Sequence, residues 1–425
     1  MKQISRRTVL KTGAVAAATW SIGNLAQGAP MARPLRHAVI GLGGQGRTHV
    51  KTFASTENCT IAAVCDVDPE RLGTVAEALK GKVDATVTQD FFEIIHNPEI
   101  DSVSIATPDH WHAPIALHAL KAGKHVYVEK PCAHNMAEAY ALEEAAASTG
   151  LCVQHGTQHR SGDGPIAAVK FMQEGGLGKV RMAKAINHQY RGEIGRAEET
   201  TPPPGVDYDR WLGPAPERPF TKNRWHYQWH WHWDYGCGDI GNDGIHQIDM
   251  MRWGMGVGYP KRVVATGGQL FYNDDHETPD TQTVVYEYDD CHLMYEMRLW
   301  TRYKMEGHDN GVVYYGDKGK MEVGRTGAEV TLIGEEKRKL GGPNDLPSNV
   351  RNFVECVRAG TPDKLNAPIH EGVISTALCH LGNIGTRVSR PLTLSADGRA
   401  IENDDEAQAM MSRTYRKGYE LPHVG

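Results

Sequence analysis

A glycine-rich turn between an apolar strand and a helix is the feature that most restricts the fold of this 425-residue chain. RHAVIGLGGQGRTHVKTF contains a short apolar strand, then Gly41, Gly43 and Gly46 in G-x-G-x-x-G spacing, and then a predicted helix. In such a turn the first glycine permits a tight bend, the second lets the backbone approach a pyrophosphate, and the third allows close helix–strand packing. The helix N-terminus adds free N–H groups for the phosphates. The pattern predicts a dinucleotide site.

An acidic residue follows at the distance that this site requires. TIAAVCD predicts a second strand ending in Asp66, 66 − 46 = 20 residues after the last glycine. A carboxylate there can bind the adenosine ribose hydroxyls. Its charge would repel the 2′-phosphate of NADP and so favours NAD, while nearby Arg71 leaves NADP possible.

Strands and helices continue to alternate as far as residue 155. DSVSIATP, HVYVEKP and LCVQHG predict strands, with helices such as HWHAPIALHALKAG between them. This alternation predicts a parallel sheet whose ligands lie at the carboxyl ends of the strands, where ATPDHWH and VEKP fall. Residues 33–155 are therefore predicted to form a Rossmann NAD(P)-binding domain.

The pattern changes in residues 156–425, which we assign to a second, α+β domain. Seven segments of alternating character predict a large, mostly antiparallel sheet with helices on one face: KVRMAKAINHQY, KRVVATGGQLFY, TQTVVYEYDD, HLMYEMRLW, GVVYYGD, KMEVG and AEVTLIG. NVRNFVECVRAG and EGVISTALCHLGNIGTRV predict the closing helices. The predicted fold class is α/β overall.

Composition excludes several classes of partner. The net charge of -6 and the absence of a long Lys/Arg run argue against nucleic acid as the main partner. No apolar segment is long enough for a stable membrane span. The eight Cys include no CxxC pair, so they indicate neither a zinc site nor a disulfide framework.

Residues 1–30 resemble an export signal. SRRTVLK precedes a weakly apolar stretch that ends in small residues, and the paired Arg6 and Arg7 resemble the twin-arginine type. Val9 occupies a position where that signal usually carries Phe. The alternative is a basic tail before a disordered arm. The favoured interpretation predicts a periplasmic or other extracytoplasmic location.

Together, GLGGQG, VCDVDP, ATPDHWHAPIALHALKAGKHVYVEKP and GNDGIHQIDMMRW resemble the Gfo/Idh/MocA oxidoreductases over essentially the whole chain after the signal. The resemblance implies that Lys130, in the EKP motif, lies beside the nicotinamide and assists proton transfer at the substrate hydroxyl. It also implies that His246 is the general base of a D-x-x-x-H motif. Asn242 stands at the Asp position, and an Asn cannot supply the negative charge that would raise the pKa of a neighbouring His or Lys. Asp239 or Asp243 could supply that charge.

The resemblance further implies an open sheet whose free face pairs subunits, so a homo-oligomer is expected. It implies hydride transfer between a sugar or polyol C–H and NAD(P), or transient oxidation that cleaves a glycosidic bond. A sugar-binding protein without turnover is the third alternative. Because an exported enzyme meets no free NAD pool, the nucleotide is expected to be tightly held and recycled within each turnover.

The segment WHYQWHWHWDYGCG, residues 225–238, allows three interpretations. His226 and His230 have a spacing that zinc can use, Trp side chains suit an interdomain core, and both suit a carbohydrate site. Alternating W-H-W-H-W predicts an extended strand with Trp and His on opposite faces. We favour the carbohydrate site at the cleft between the domains, and no metal.

These arguments give a set of candidate site residues. The catalytic candidates are Lys130 and His246. The cofactor-binding candidates are Gly41, Gly43, Gln45, Gly46, Asp66, Arg71, Thr107, Pro108, His110, His112, Glu129 and Lys130. The substrate-binding candidates are Arg160, Tyr190, Trp233, Asp234, Asn242, Asp243 and His246.

Overall fold

A six-stranded parallel sheet forms the first domain in a computed structural model, which describes residues 31–343 and 345–424. Its strand order is β3-β2-β1-β4-β5-β6. The strands are β1 (Leu35–Ile40), β2 (Cys59–Cys65), β3 (Thr86–Thr88), β4 (Ser102–Ile105), β5 (His125–Val128) and β6 (Val153–His155). The helices between them are α1 (Gly44–Ala54), α2 (Pro69–Leu79), α3 (Phe91–His96), α4 (His112–Lys121) and α5 (Met136–Thr149). This is a doubly wound arrangement, in which ligands bind at the carboxyl ends of the strands.

A nine-stranded sheet forms the second domain, in the order β14-β13-β12-β11-β7-β10-β9-β8-β15. Neighbouring strands are antiparallel except for β7 and β10. The strands are β7 (Val180–Asn187), β8 (Arg262–Gly268), β9 (Thr281–Glu287), β10 (His292–Arg298), β11 (Asn310–Gly316), β12 (Gly319–Gly324), β13 (Gly327–Leu332), β14 (Arg338–Gly341) and β15 (Leu392–Thr393). The helices are α6 (Asp163–Gln173), α7 (Tyr208–Leu212), α8 (Ile245–Met255), α9 (Leu346–Ala359), α10 (Ile369–Val388) and α11 (Asp405–Ala409). Both parts of the predicted fold class are confirmed.

The sheet holds α8, and with it His246, through buried tyrosines that meet glycines of the helical segment. A Cβ atom at Gly244 would lie 2.5 Å from the Tyr295 hydroxyl, and one at Gly254 would lie 2.5 Å from the Tyr314 hydroxyl. The Tyr314 hydroxyl also donates to the Met250 carbonyl of α8 at 2.5 Å. Because only glycine leaves room for these rings, Gly244 and Gly254 let the helical segment pack close to the sheet.

The Trp/His segment is not a strand, so that prediction was wrong. His226–Trp231 form a 3-10 helix. The turn is closed by local bonds: the Tyr227 carbonyl is 2.5 Å from His230 Nδ1, and Trp231 Nε1 donates to the Gln228 side chain at 3.0 Å. Trp and His therefore do not lie on opposite faces of a pleated strand.

No helix within the described ranges is long and apolar enough to cross a membrane. The predicted export signal, residues 1–30, lies outside the described residues.

Candidate active site

The glycine turn has the geometry that its spacing predicts. Gly41 has φ +87°, and a Cβ there would lie 2.6 Å from the Ala106 carbonyl oxygen. A Cβ at Gly46 would lie 1.8 Å from the Gly41 carbonyl oxygen. These two glycines therefore bring α1 against β1 and β4. At Gly43 a Cβ would meet only the end of the Arg71 side chain, at 3.0 Å.

The N-terminus of α1 is open to a ligand. Gly43 is its N-cap and no side chain caps it, so the first N–H groups of the helix stay available for an anion. The cradle left by Gly41 and Gly43 and the uncapped helix end together fit a dinucleotide pyrophosphate.

A cleft of about 450 Å³ runs from this turn to the second domain. It is lined by the substrate candidate Asn242 and by most of the predicted cofactor and catalytic residues: Gly41, Gly43, Gln45, Asp66, Arg71, Thr107, Pro108, His112, Glu129, Lys130 and His246. Gly46 does not line it, because it lies beneath the turn, and neither does His110.

Asp66 lies at the end of β2, where the sequence predicts it. Its two carboxylate oxygens accept the backbone N–H groups of Leu42 (2.6 Å) and Asp68 (2.9 Å). Burial raises the pKa of Asp66, although these hydrogen bonds and Arg71 act in the opposite direction. The carboxylate is thus held rigidly beside the glycine turn, in position to accept ribose hydroxyls through its remaining lone pairs.

Glu129 is a buried anion at the end of β5. Its Oε1 accepts the Gln45 amide at 2.8 Å and lies 2.9 Å from His49 Nε2, and its Oε2 accepts the Lys130 backbone N–H at 3.1 Å. Burial alone would raise the pKa of Glu129, but the hydrogen bond with His49 and the nearby Lys130 outweigh burial and hold the pKa well below its usual range. Glu129 therefore orders the backbone that carries Lys130.

Lys130 reaches across the cleft to the second domain. Its Nζ donates to the Asn242 backbone carbonyl at 2.6 Å and lies 3.4 Å from the Asn242 side-chain oxygen. Asn242 is itself fixed, because its amide donates to Asp239 Oδ1 at 2.8 Å. It lies in a π-helical turn, Ile240–Gly244, that precedes α8, and such turns are frequent at functional sites.

His246 faces the same cleft from the first turn of α8. Its ring stacks on His159, with centroids 5.2 Å apart and planes inclined by 26°. Burial, with contributions from His159 and Lys130, lowers the pKa of His246 well below its usual value. The imidazole is therefore neutral around pH 7 and can accept a proton. Its Nδ1 is buried without a hydrogen-bond partner among the described residues.

The two His of PDHWH have different surroundings. His112 lines the cleft, with its ring nitrogens 2.6 Å from the Pro131 carbonyl and 2.8 Å from the Thr107 carbonyl. His110 lies behind the cleft wall, where its Nε2 is 2.8 Å from the Trp211 carbonyl, so the structure does not support direct cofactor contact by His110. Burial lowers the pKa of His110 to about 3.

Asp109, which stands in the same PDHWH motif, is a cleft residue that was not among the sequence-based candidates. Asp109 is 2% exposed and lines the cleft. Asp109 directly follows Ala106, Thr107 and Pro108, the residues after β4, and this position at the carboxyl end of a strand is the signal that could have identified it.

Five predicted substrate residues do not line this cleft, and four of them are held by partners distant in sequence. Arg160 is buried in an ion pair with Asp249 (2.8 Å), which is a structural role. Tyr190, which is 48% exposed, lies under the guanidinium of Arg302, Trp233 lies under Arg387, and Asp234 pairs with Arg218 at 2.8 Å.

Asp243 lines a second, polar cavity of about 260 Å³ that shares His246 with the first. It pairs with Arg191 at 3.2 Å and accepts the Asn310 amide at 3.1 Å. Asp243 is therefore already bonded to Arg191 and Asn310, whereas Asp239 bonds directly to Asn242.

Part of the Trp/His segment lines the cleft, as predicted. The lining includes Trp225, His226, Tyr227, Trp229 and His230, and the last two rings stack at 3.6 Å. Within the described ranges, no group of three or more His, Cys, Asp and Glu is arranged to hold a metal ion.

Family models match both domains. A Gfo/Idh/MocA model, an oxidoreductase family with an NAD-binding Rossmann fold, matches residues 35–157, and the C-terminal α/β domain model of the same family matches residues 179–421. The chain belongs to the Gfo/Idh/MocA oxidoreductases. It is thus a member of an NAD-binding enzyme family, and the predicted family, enzyme class and cofactor are confirmed.

The curated relatives match only in part. A glycosyl hydrolase family 109 protein of Saccharopolyspora erythraea is 30% identical over 35% of this chain and 38% of its own length. Levoglucosan dehydrogenase of Pseudarthrobacter phenanthrenivorans is 27% identical over 52% of this chain and 51% of its own length. The chain spans about two fifths of the length of the glycosyl hydrolase family 109 relatives that it matches.

Solved structures share the whole fold. Aldose-aldose oxidoreductase from Caulobacter crescentus, complexed with glycerol, superposes with a TM-score of 0.66 at 22% identity over 85% of this chain and 100% of that one. The WlbA dehydrogenase from Chromobacterium violaceum, in complex with NADH and UDP-GlcNAcA, has a TM-score of 0.66 at 20% identity over 87% and 99% of the two chains. At these identities the likeness concerns the fold.

Proposed function

We propose that the protein is an NAD-dependent oxidoreductase that acts on a hydroxyl group of a sugar, polyol or glycoside. The observation that carries this proposal is the meeting of two groups in one cleft. Lys130, from the end of β5, and His246, from α8, both face the cleft that begins at the glycine turn. Within one cleft, a neutral imidazole can accept the proton of a substrate hydroxyl while a cation stabilises the negative charge that develops on the oxygen.

Residues of the first domain would hold the nucleotide. The uncapped end of α1 and the Gly41–Gly43 cradle suit the pyrophosphate, and Asp66 suits the adenosine ribose. The Asp66 carboxylate favours NAD over NADP. When bound, the nicotinamide accepts and returns hydride, and the protein supplies orientation and proton handling.

His246 and Lys130 then have separate roles. His246, neutral because of burial, accepts the hydroxyl proton, while the Lys130 ammonium stabilises the developing negative charge on the same oxygen. Asn242 holds the ammonium in the cleft through two oxygens.

The substrate class rests on the aromatic wall. Trp229 and His230 stack on each other and line the cleft with Tyr227. Aromatic faces beside polar groups suit the apolar face and hydroxyls of a sugar. The names of the levoglucosan dehydrogenase and aldose-aldose oxidoreductase relatives point in the same direction.

A second candidate is redox-neutral cleavage of a glycoside through a keto intermediate. The glycosyl hydrolase family 109 relatives favour it. Such a reaction returns the hydride within one cycle, as does paired oxidation and reduction of two sugars. Both reactions agree with a tightly held nucleotide in an exported protein. Export is proposed from the twin-arginine pattern of residues 1–30, and cell fractionation would test it.

We also propose, from the resemblance, that subunits associate through the free face of the nine-stranded sheet. Sedimentation would test this association.

The first experiment is to denature the purified protein and identify any nucleotide released. Near-stoichiometric NAD supports a closed cycle, and its reduction by added sugars or glycosides would then identify the substrate. A protein that binds added NAD reversibly favours an ordinary dehydrogenase. One that binds neither NAD nor NADP would leave a sugar-binding protein as the better interpretation.

Two substitutions test the roles. In Lys130→Met and His246→Asn we expect turnover to fall by about 10²- to 10⁴-fold, the usual range for a general acid–base group, with nucleotide still bound. The exposed Lys417→Ala serves as the control. Wild-type rates in both site variants would refute the assignment.

A further inference from the structure

Asp109 is a buried carboxyl group with no role in the scheme above. It begins a 3-10 helix, Asp109–Trp111, at the carboxyl end of β4. Its side chain is 2% exposed, and its Oδ2 has no hydrogen-bond partner among the described residues. A buried carboxyl oxygen without a partner is costly and is expected mainly where it serves a function. Asp109 lines the same cleft as Lys130.

Lys130 lacks an ion-pair partner within the described part of the chain. Among the described residues, its Nζ hydrogen-bonds only to the two uncharged oxygens of Asn242. Asp109 and Lys130 follow the paired ends of two neighbouring strands, since Ile105 of β4 is paired with Val128 of β5. Lys130 acts to lower the pKa of three acidic groups, Asp109, Glu129 and Asp243. Glu129 is already bonded to His49, Gln45 and a backbone N–H, and Asp243 is bonded to Arg191 and Asn310. Asp109 is the one of the three for which the described residues supply no ion-pair partner, whereas Glu129 pairs with His49 and Asp243 with Arg191.

We propose that Asp109 is a positioning residue for Lys130, whose ionised carboxylate balances the ammonium and holds it toward the substrate oxygen. When Asp109 takes up a proton from solvent, the ammonium loses this countercharge and the hydroxyl oxygen is less well polarised. The inference rests on the proposed function of Lys130.

Other groups around Asp109 do not replace Lys130 as its partner. Cys237 donates hydrogen bonds to the carboxylate from its thiol and its backbone N–H, and Glu129, directly after β5, acts to raise the pKa of Asp109. Cys379 of α10 is also near enough to be affected by Asp109. Burial raises the pKa of both thiols well above their usual value, so they remain uncharged in the neutral range. Among the described residues, Lys130 is the cation that acts to lower the pKa of Asp109.

The environment of Asp109 places its ionisation near neutrality. Burial raises the pKa of Asp109 to about 7, while Lys130 acts in the opposite direction. Above about pH 7 the Asp109 carboxylate is charged and balances the Lys130 ammonium. Below about pH 7 the carboxyl group is protonated and this countercharge is lost. The rate of sugar oxidation should therefore rise with pH through this region.

The test compares Asp109→Asn and Asp109→Glu with Asp84→Asn, an exposed carboxylate of the same domain. With D-glucose and levoglucosan as probes, the Asn variant should lower kcat by about tenfold to a hundredfold and lose the acidic limb of the pH profile. The Glu variant should keep the limb, and the Asp84 variant should match wild type. A limb that persists in the Asn variant would overturn the proposal.

A second measurement needs no substrate. The sample is NAD-loaded protein with ¹³Cε-labelled lysine, in which the NMR signal of Lys130 is assigned by its loss in Lys130→Met. The chemical shift of this signal should show an inflection near pH 7 in wild type, and Asp109→Asn should abolish the inflection. Retention of that inflection in the Asn variant, or its absence from wild type, would contradict the pairing. If the inflection behaves as expected but no sugar is oxidised by wild type, the proposed function fails and the pairing stands.

Discussion

Four interior histidines make the stability of the protein sensitive to acid. Burial lowers the pKa of His110 to about 3 and the pKa values of His155, His159 and His380 to about 4. In the unfolded chain the pKa of each returns to its usual value near 6.5. Between about pH 4 and 6.5 the unfolded chain therefore binds more protons, and the free energy of unfolding falls as pH falls.

The measurement is denaturant unfolding at several pH values. While a histidine is protonated only in the unfolded chain, it contributes a slope of about 1.4 kcal/mol per pH unit. His380→Gln keeps a donor for the Ala133 carbonyl and should reduce the slope of unfolding free energy against pH by up to this amount. His370→Gln, at an exposed position, should leave the slope unchanged. Equal slopes in wild type and the His380 variant would contradict the argument.

The strand–turn–helix element at residues 35–54 assigns different tasks to its glycines. Gly46→Ala would put a methyl group 1.8 Å from the Gly41 carbonyl, so β1 and α1 must separate, and we expect a loss of about 3 kcal/mol in the free energy of unfolding. Gly44→Ala meets nothing within 4 Å and should change stability by less than about 1 kcal/mol. Thermal unfolding of both variants checks this, and equal stability would contradict the steric assignment.

Elements whose signals are local could be predicted from the sequence. The glycine turn, the strand end at Asp66 and the EKP strand end depend on turn chemistry and strand spacing within a few residues, and all three contribute residues to the cleft. Their role in binding follows from a general rule, that ligands meet the carboxyl ends of parallel strands.

The positions of Arg160 and of the Trp/His segment could not be predicted in this way. Arg160 has the charge expected of a substrate contact, but Asp249, 89 residues away, takes it into the core. The alternating Trp and His of residues 229–233 suit a strand, yet local bonds within His226–Trp231 form a 3-10 helix that includes the first three of them. A distant partner therefore decides the place of Arg160, whereas local side-chain hydrogen bonds override the short alternating pattern of the Trp/His segment.

On the scale of the whole molecule, the C-terminal tail ties a loop of the second domain to the first. Arg416 donates to Asp209 Oδ1 at 2.7 Å and to the Gly213 carbonyl at 2.9 Å, and the Tyr419 hydroxyl donates to Asp209 Oδ2 at 2.9 Å. The Tyr419 ring also packs edge-on against Trp111 of the first domain, at 5.8 Å. The loop that is held in this way includes α7, whose Arg210 and Trp211 line the cleft.

This arrangement predicts that the tail slows nucleotide release. Arg416→Ala removes one ion pair, which stabilises little because Asp209 is mostly exposed. It also removes charged hydrogen bonds to two backbone carbonyls, and the ion pair and these bonds together contribute roughly 1–2 kcal/mol. If the loop must open for NAD to leave, the dissociation rate should rise about tenfold, since 1.4 kcal/mol corresponds to a factor of ten. Stopped-flow displacement of NADH fluorescence measures the rate, with Lys417→Ala as the neighbouring exposed control. An unchanged rate in the Arg416 variant would mean that NAD leaves without movement of α7, and that the tail only stabilises the fold.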